Sequence, residues 1–247
     1  MSKKNTVLIT GASRGIGKAI AKIFAQNGYD LYLCCKNNIE TLTDYGKELS
    51  EKYGITAVTT VCDVSFEADV ISMFKTISNS SIGYPEVVIN NAGIAWYGLL
   101  SDMTADEWHK MIGTNLDSVF YMSKNAIPHM VRNGHGKIIN ITSVWGQVGA
   151  SCEVAYSASK GGVNSFTKAL AKELAPSGIQ VNAIACGAID TEMNSSHLSE
   201  DELSELTSEI PADRLGTPEE VAELAFNLVQ SPAYLTGQII TLDGAWI

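Results

Sequence analysis

A phenol, an amine four residues after it and a hydroxyl thirteen residues before it are the side chains of this sequence best suited to chemistry: Tyr156, Lys160 and Ser143. On a helix, residues four apart lie on one face a turn from each other, so the Lys160 ammonium can reach toward Tyr156. A phenol with a pKa of about 10 is a poor acid at neutral pH, and a nearby cation favours the phenolate and lowers that value. A hydroxyl such as that of Ser143 can donate to an oxygen on which negative charge develops. The three read as a proton donor, its activator and a carbonyl polariser. Tyr-x-x-x-Lys alone is short enough to arise as an ordinary surface pair, so the elements around it decide its meaning.

Those elements alternate. Thr6–Thr10 is a short apolar, β-branched run, followed by a glycine-rich turn and a helical pattern from about Gly15 to Asn27 that ends at Gly28. Further strands are predicted at Leu31–Cys35, Ala57–Val61, Val87–Ile89, Ile138–Thr142, Ile179–Ile184 and Gln238–Leu242, with helices over about 40–53, 66–79, 104–131, 154–175 and 218–230. Apolar strands separated by crossover helices predict an α/β fold. It would be a single-domain, Rossmann-like, doubly wound parallel sheet of about seven strands over 1–247, with helices on both faces and ligands outside the carboxyl ends of the strands. Thr191–Arg214, polar and acidic, breaks the rhythm and is expected to form a lid over a substrate.

Composition narrows the function. A chain of 247 residues with 45% hydrophobic content can bury one large core. Its net charge of −10 is uneven: residues 173–247 carry 13 acidic side chains against Arg214 alone. Nucleic acid, whose binding depends on clustered Lys and Arg, is therefore a poor partner. With no apolar run of about 18 residues and no signal-peptide core, no membrane span is expected and the protein is expected to be cytoplasmic. Five cysteines without zinc spacing and four scattered histidines point to reduced thiols and no metal site.

The turn Gly11-Ala12-Ser13-Arg14-Gly15-Ile16-Gly17 joins the first strand to the first helix, where glycines let the backbone approach a pyrophosphate at a helix N-terminus. An acidic residue ending the second strand would bind an adenosine ribose and repel a 2′-phosphate. That strand ends instead in Cys34-Cys35-Lys36-Asn37, and Lys36 with Arg14 can neutralise a 2′-phosphate, which favours NADP(H) over NAD.

Together with Cys62-Asp63-Val64, Asn90-Asn91-Ala92-Gly93, Asn115, Ser143 and Tyr156/Lys160, that turn makes the whole chain resemble the short-chain dehydrogenase/reductase family. The resemblance implies that Asp63 and Val64 meet the adenine and that Asn90, Ala92 and Gly93 support the cofactor side. Gly187, Ile189 and Thr191 would lie at the nicotinamide end, Lys160 would also hold the nicotinamide ribose, and Asn115 would anchor a proton-relay water. Ser143 to Met193 is most similar to 3-oxoacyl-[acyl-carrier-protein] reductases of fatty acid biosynthesis, which reduce a β-ketoacyl thioester. Those enzymes commonly carry carrier-docking arginines where this chain has Gly134 and Ser177, and the acidic last third is unfavourable to an acidic carrier. Ser143-Val-Trp145-Gly146, Gly149 to Val154 and Asp190 to Met193 also resemble elongation factor P aminopentanone reductases, which reduce a ketone on an amine-containing lysine modification. An NAD-dependent alcohol dehydrogenase and a non-catalytic NADP-binding module are the remaining readings. Cys186, where the family usually has proline, and Cys152 are expected to be passive. Trp246 and Ile247 suggest burial in a homotetramer, the family's usual assembly.

Overall fold

The computed structural model describes residues 5–192 and 200–247. Seven parallel strands form one sheet in the order β3-β2-β1-β4-β5-β6-β7. They are β1 (Thr6–Thr10), β2 (Asp30–Cys35), β3 (Ala57–Val61), β4 (Val87–Asn90), β5 (Gly136–Ser143), β6 (Ile179–Cys186) and β7 (Ile239–Leu242). The described α-helices are α1 (Gly15–Gln26), α2 (Ile39–Tyr53), α3 (Glu67–Ser78), α4 (Ala105–Ile112), α5 (Ser118–Asn133), α6 (Trp145–Val148), α7 (Val154–Leu174), α8 (Glu200–Glu209) and α9 (Pro218–Gln230). The expected doubly wound parallel architecture is the one found.

Every residue of β1, β2, β4 and β6 is buried, as strands covered on both faces require. Side chains alternate between the two faces. Val7 and Ile9 point into a core with Phe24, Leu42 and Val221 from α1, α2 and α9, whereas Leu8 points into the opposite core with Met73, Met122 and Leu170 from α3, α5 and α7. Phe24 seats edge-on against Tyr29 and Phe226, at centroid distances of 5.0 and 5.4 Å, and so joins α1 to α9. Thr217 and Glu220 form a capping box that starts α9, with Pro218 in its first turn.

Strand β1 pairs with β2 on one side and β4 on the other. The connections leave it in opposite directions, and the crevice this opens lies at the carboxyl ends of the strands. The turn after β1, the segment after β4 and the ends of β5 and β6 all meet there.

The structure adds to the sequence reading in four places. The helix expected over 104–131 is α4 and α5 joined by a π-turn at Gly113–Asp117, a local widening that side-chain periodicity does not reveal. The single turn α6 is too short to leave a periodic signal. Trp246 is covered within the chain by the ring of Trp145, with centroids 4.7 Å apart, while Ile247 stays half exposed. Of the expected lid, α8 occupies 200–209, and residues 193–199 lie outside the described residues. No described helix is long and apolar enough to cross a membrane.

Candidate active site

Tyr156 and Lys160 sit in the first two turns of α7, and Ser143 ends β5. Gly146 brings these pieces together: a Cβ there would lie 2.6 Å from the Lys160 carbonyl carbon, so only glycine lets α6 pack this tightly on α7. Asn164 Nδ2 donates to the Gly146 oxygen at 3.1 Å and locks the approach. Ser143 faces Cys186 in the β5–β6 register. Its Oγ accepts from the Trp145 backbone N–H at 3.1 Å, and its hydroxyl hydrogen-bonds the Tyr156 phenol. The buried Lys160 donates from Nζ to the Ile141 oxygen at 2.9 Å, and Nζ lies 5.6 Å from the centre of the Tyr156 ring.

Burial raises the Tyr156 pKa well above its ordinary value, Cys186 and Glu153 add to the rise, and the bond to Ser143 acts the other way. The expected lowering by Lys160 is not what the structure shows, because that ammonium is spent on the Ile141 carbonyl and desolvation of the phenol dominates. Tyr156 therefore holds its proton at neutral pH, as a donor must. Burial brings Lys160 down to about 8, so it is still largely charged at neutral pH. Burial also pushes the Cys186 thiol up to about 12, which suits a packing residue and not a nucleophile.

Asn115 projects inward from the π-turn and is fully buried. Its Oδ1 accepts from the Ile94 N–H at 2.8 Å, while Nδ2 lies 2.9 Å from the Ile94 oxygen and 3.1 Å from Ser159 Oγ. Ser159 in turn donates to the Tyr156 carbonyl at 2.7 Å. Asn115 thus ties the wall after β4 to the helix bearing Tyr156.

A groove of about 620 Å³ runs from this centre along the carboxyl ends of the strands. Gly11, Ser13, Arg14, Gly15, Ile16, Lys36, Asp63, Val64, Ala92, Gly93, Gly187, Ile189 and Thr191 all line it, together with Ser143, Tyr156 and Lys160. Gly17, Asn90 and Asn115 are not in its wall. Gly17 stands behind the turn, where a Cβ would come 2.3 Å from the Gly11 oxygen. Asn90 is buried and donates from Nδ2 to Asn140 Oδ1 at 2.8 Å. The groove suits a dinucleotide: its glycine turn leaves the backbone bare at the start of α1, with Gly11 and Gly15 at φ of +64° and +51°, and basic residues stand at one end.

Both basic residues are engaged by acids. Lys36 Nζ lies 2.6 Å from Asp63 Oδ2 and Arg14 2.8 Å from Glu192. Although burial acts to raise it, the Asp63 carboxyl is held below its ordinary value by bonds from Lys36 and Ser65. Sequence reasoning placed Thr10 and Asn91 within motifs but gave neither a role of its own. The Thr10 hydroxyl accepts from the N–H groups of Asn91 and Ala92, both at 3.0 Å, and Asn91 Nδ2 donates to the Thr10 and Gly11 oxygens at 2.9 and 3.2 Å. Their place inside the two quoted motifs was the available signal.

The short chain dehydrogenase family model matches residues 5–202, and this chain belongs to that family of oxidoreductases, which bind a nicotinamide cofactor. It is 40% identical to the uncharacterised oxidoreductase YmfI of Bacillus subtilis over 98% of both chains. It is 37% identical to the 3-oxoacyl-[acyl-carrier-protein] reductase FabG of Escherichia coli, across 96% of this chain and 95% of that one. A Phe-to-Trp variant of actinorhodin polyketide ketoreductase, crystallised with NADPH, superposes with a TM-score of 0.93 at 32% identity and covers 100% of this chain and 98% of its own.

Proposed function

We propose that this enzyme reduces a ketone to an alcohol with NADPH. The observation that carries the proposal is the meeting of a protonated, half-buried phenol, a serine hydroxyl and a lysine ammonium at one end of a groove whose other end presents Lys36 and Arg14. When bound, the cofactor supplies hydride to the carbonyl carbon. Ser143 and Tyr156 donate hydrogen bonds to the carbonyl oxygen and stabilise the charge that develops on it. Tyr156 then gives up its proton, and the Lys160 charge stabilises the phenolate left behind. Asn115 holds the Ile94 backbone and Ser159 in place around that step. Lys36, drawn from Asp63, and Arg14, drawn from Glu192, would pair with a 2′-phosphate. Oxidation of NADPH by ethyl acetoacetate, followed by absorbance, tests the reading: wild type consumes cofactor, and Ser143→Ala loses most of the rate.

A 3-oxoacyl thioester on acyl carrier protein is the substrate suggested by the named reductases. A ketone on an amine-bearing lysine of elongation factor P is the second candidate, favoured by the acidic last third. Gly134 and Ser177 discriminate less than the sequence suggested. They precede β5 and β6 at the amino ends of the strands, so the site they could serve is not their own chain's. Discrimination moves to the residues beside Tyr156. Phe120 and Val131, exposed along α5, suit self-association, and light scattering at micromolar concentration tests the homotetramer. A cytoplasmic location accords with NADPH use.

A further inference from the structure

Arg14 and Glu192 both belong to the wall of the groove, yet unrelated parts of the chain bring them there. Arg14 is the N-cap of α1, in extended backbone, and its carbonyl accepts the Lys18 N–H at 3.2 Å. The first turn of α1 contains no acid, so the positive end of that helix is left to meet an anion from elsewhere. Glu192 arrives from the segment after β6. That segment is fastened by the Asp190 N–H on the Gly216 oxygen at 2.8 Å and by the Gly216 N–H on the Ala188 oxygen at 2.9 Å. It then crosses the glycine turn so closely that a Cβ on Gly15 would lie 3.5 Å from Thr191 Cγ2. The Glu192 carboxylate, 2.8 Å from Arg14 Nη1, therefore stands at the start of α1, where a phosphate-bearing cofactor must also come.

The two ion pairs of the groove are not equivalent. Asp63, the partner of Lys36, is mostly covered, and its Oδ1 also accepts from the Ser65 N–H and hydroxyl at 3.1 and 2.6 Å, so it stays in place whatever Lys36 does. The Glu192 side chain is 70% exposed, and among the described residues its carboxylate is bound by Arg14 alone. It can hold Arg14 or swing away. While it holds, it neutralises the guanidinium and repels an anionic phosphate, whereas a cofactor without a 2′-phosphate has no need to displace it. An acid at the end of β2 would disfavour a 2′-phosphate, and β2 carries none there. Glu192 supplies such a carboxylate from a different segment.

We propose that Glu192 is a specificity-determining residue that competes with the 2′-phosphate of the cofactor for Arg14 and holds the preference for NADPH over NADH below what Lys36 and Arg14 would otherwise give. The assignment rests on the NADPH reading above and goes beyond it by naming the element of the chain that opposes that preference. An ion pair this exposed is a weak competitor, so the effect is a matter of a few-fold.

Fluorescence titration of wild type and Glu192→Gln with NADPH and NADH tests this without turnover, since the substitution keeps the length and polarity of the side chain and removes its charge. The ratio of the Kd for NADH to the Kd for NADPH is expected to exceed one in wild type. In Glu192→Gln it should be about threefold to fivefold higher, through tighter NADPH binding and with little change for NADH. Competition by adenosine 2′,5′-bisphosphate, which has no nicotinamide, should strengthen by the same factor, while competition by adenosine 5′-monophosphate should not. An unchanged ratio, equal tightening of both cofactors, or an effect confined to the complete cofactors overturns the role of Glu192 and leaves the cofactor reading intact. A ratio of one or below in both proteins overturns the cofactor reading and the assignment with it.

Discussion

The two ends of the groove are built on opposite principles. At the cofactor end the decisive contacts are backbone: Gly17 has no room for a Cβ beside the Gly11 oxygen, and Thr10 and Asn91 brace the turn through main-chain groups. Past Ser143, toward the substrate end, the chain runs in short, irregular pieces: Trp145 on the single turn α6, Cys152 in a loop at φ +62°, and Trp246 of the terminal turn packed on Trp145. A backbone requirement admits few residue types and so leaves a recurring motif. A side-chain wall can be rebuilt without disturbing the fold, so it leaves none, and reaction class is accordingly easier to read than substrate.

Substitutions at each end can break that contrast. The largest effect belongs to the seam between them: Tyr156→Phe removes the proton donor, and kcat is expected to fall by about 10³-fold. NADPH affinity, followed by fluorescence titration, should stay within about twofold of wild type, and substantial residual turnover would remove Tyr156 from its role. Next, Lys36→Glu sets two acids against each other at Asp63 and presents a negative charge to a 2′-phosphate. The KM for NADPH is expected to rise by about tenfold, or 1.4 kcal/mol, with a much smaller change for NADH. The KM for ethyl acetoacetate at saturating cofactor should not move, and if it does, the two ends are not independent.

A pH–rate profile then probes the seam without mutation. The amine of Lys160 is brought down to about 8, so its positive charge is present below that value and lost above it. Reduction should be flat near pH 7 and decline by about tenfold by pH 9, and a profile flat to pH 10 would show that the charge is not needed. The smallest effect expected is on stability. Asn115→Ala strands the Ile94 N–H and carbonyl, and a loss of about 2–3 kcal/mol is expected in urea unfolding.

The sheet was legible because β1, β2, β4 and β6 are dominated by apolar and β-branched residues that suit a strand covered on both faces, and the glycine turn because only glycine fits Gly11 and Gly17. Ser143, Tyr156 and Lys160 were legible as types at a spacing. Their electrostatics were not. Desolvation of the Tyr156 phenol, which raises its pKa, depends on how α7 packs on the sheet, and so does the route of Lys160 Nζ to the Ile141 carbonyl. Asn115 was found as a motif residue, but its hold on Ile94 follows from the π-turn, which has no sequence period. The partners of Lys36 and Arg14 escaped notice because Asp63 and Glu192 are distant from them in sequence.

That π-turn at Gly113–Asp117 also makes the segment sensitive to length in a way its composition does not betray. It accommodates more chain per turn than the helices it joins, and each residue of a regular helix turns the chain by about 100°. Losing one codon here would rewind the turn and rotate α5 against α4, carrying Val119, Met122 and Ala126 away from the core they now fill. Many exchanges of one amino acid for another within the segment should be survivable, while an in-frame deletion of any one of the five should not, so the stretch is constrained in its count as well as in its letters.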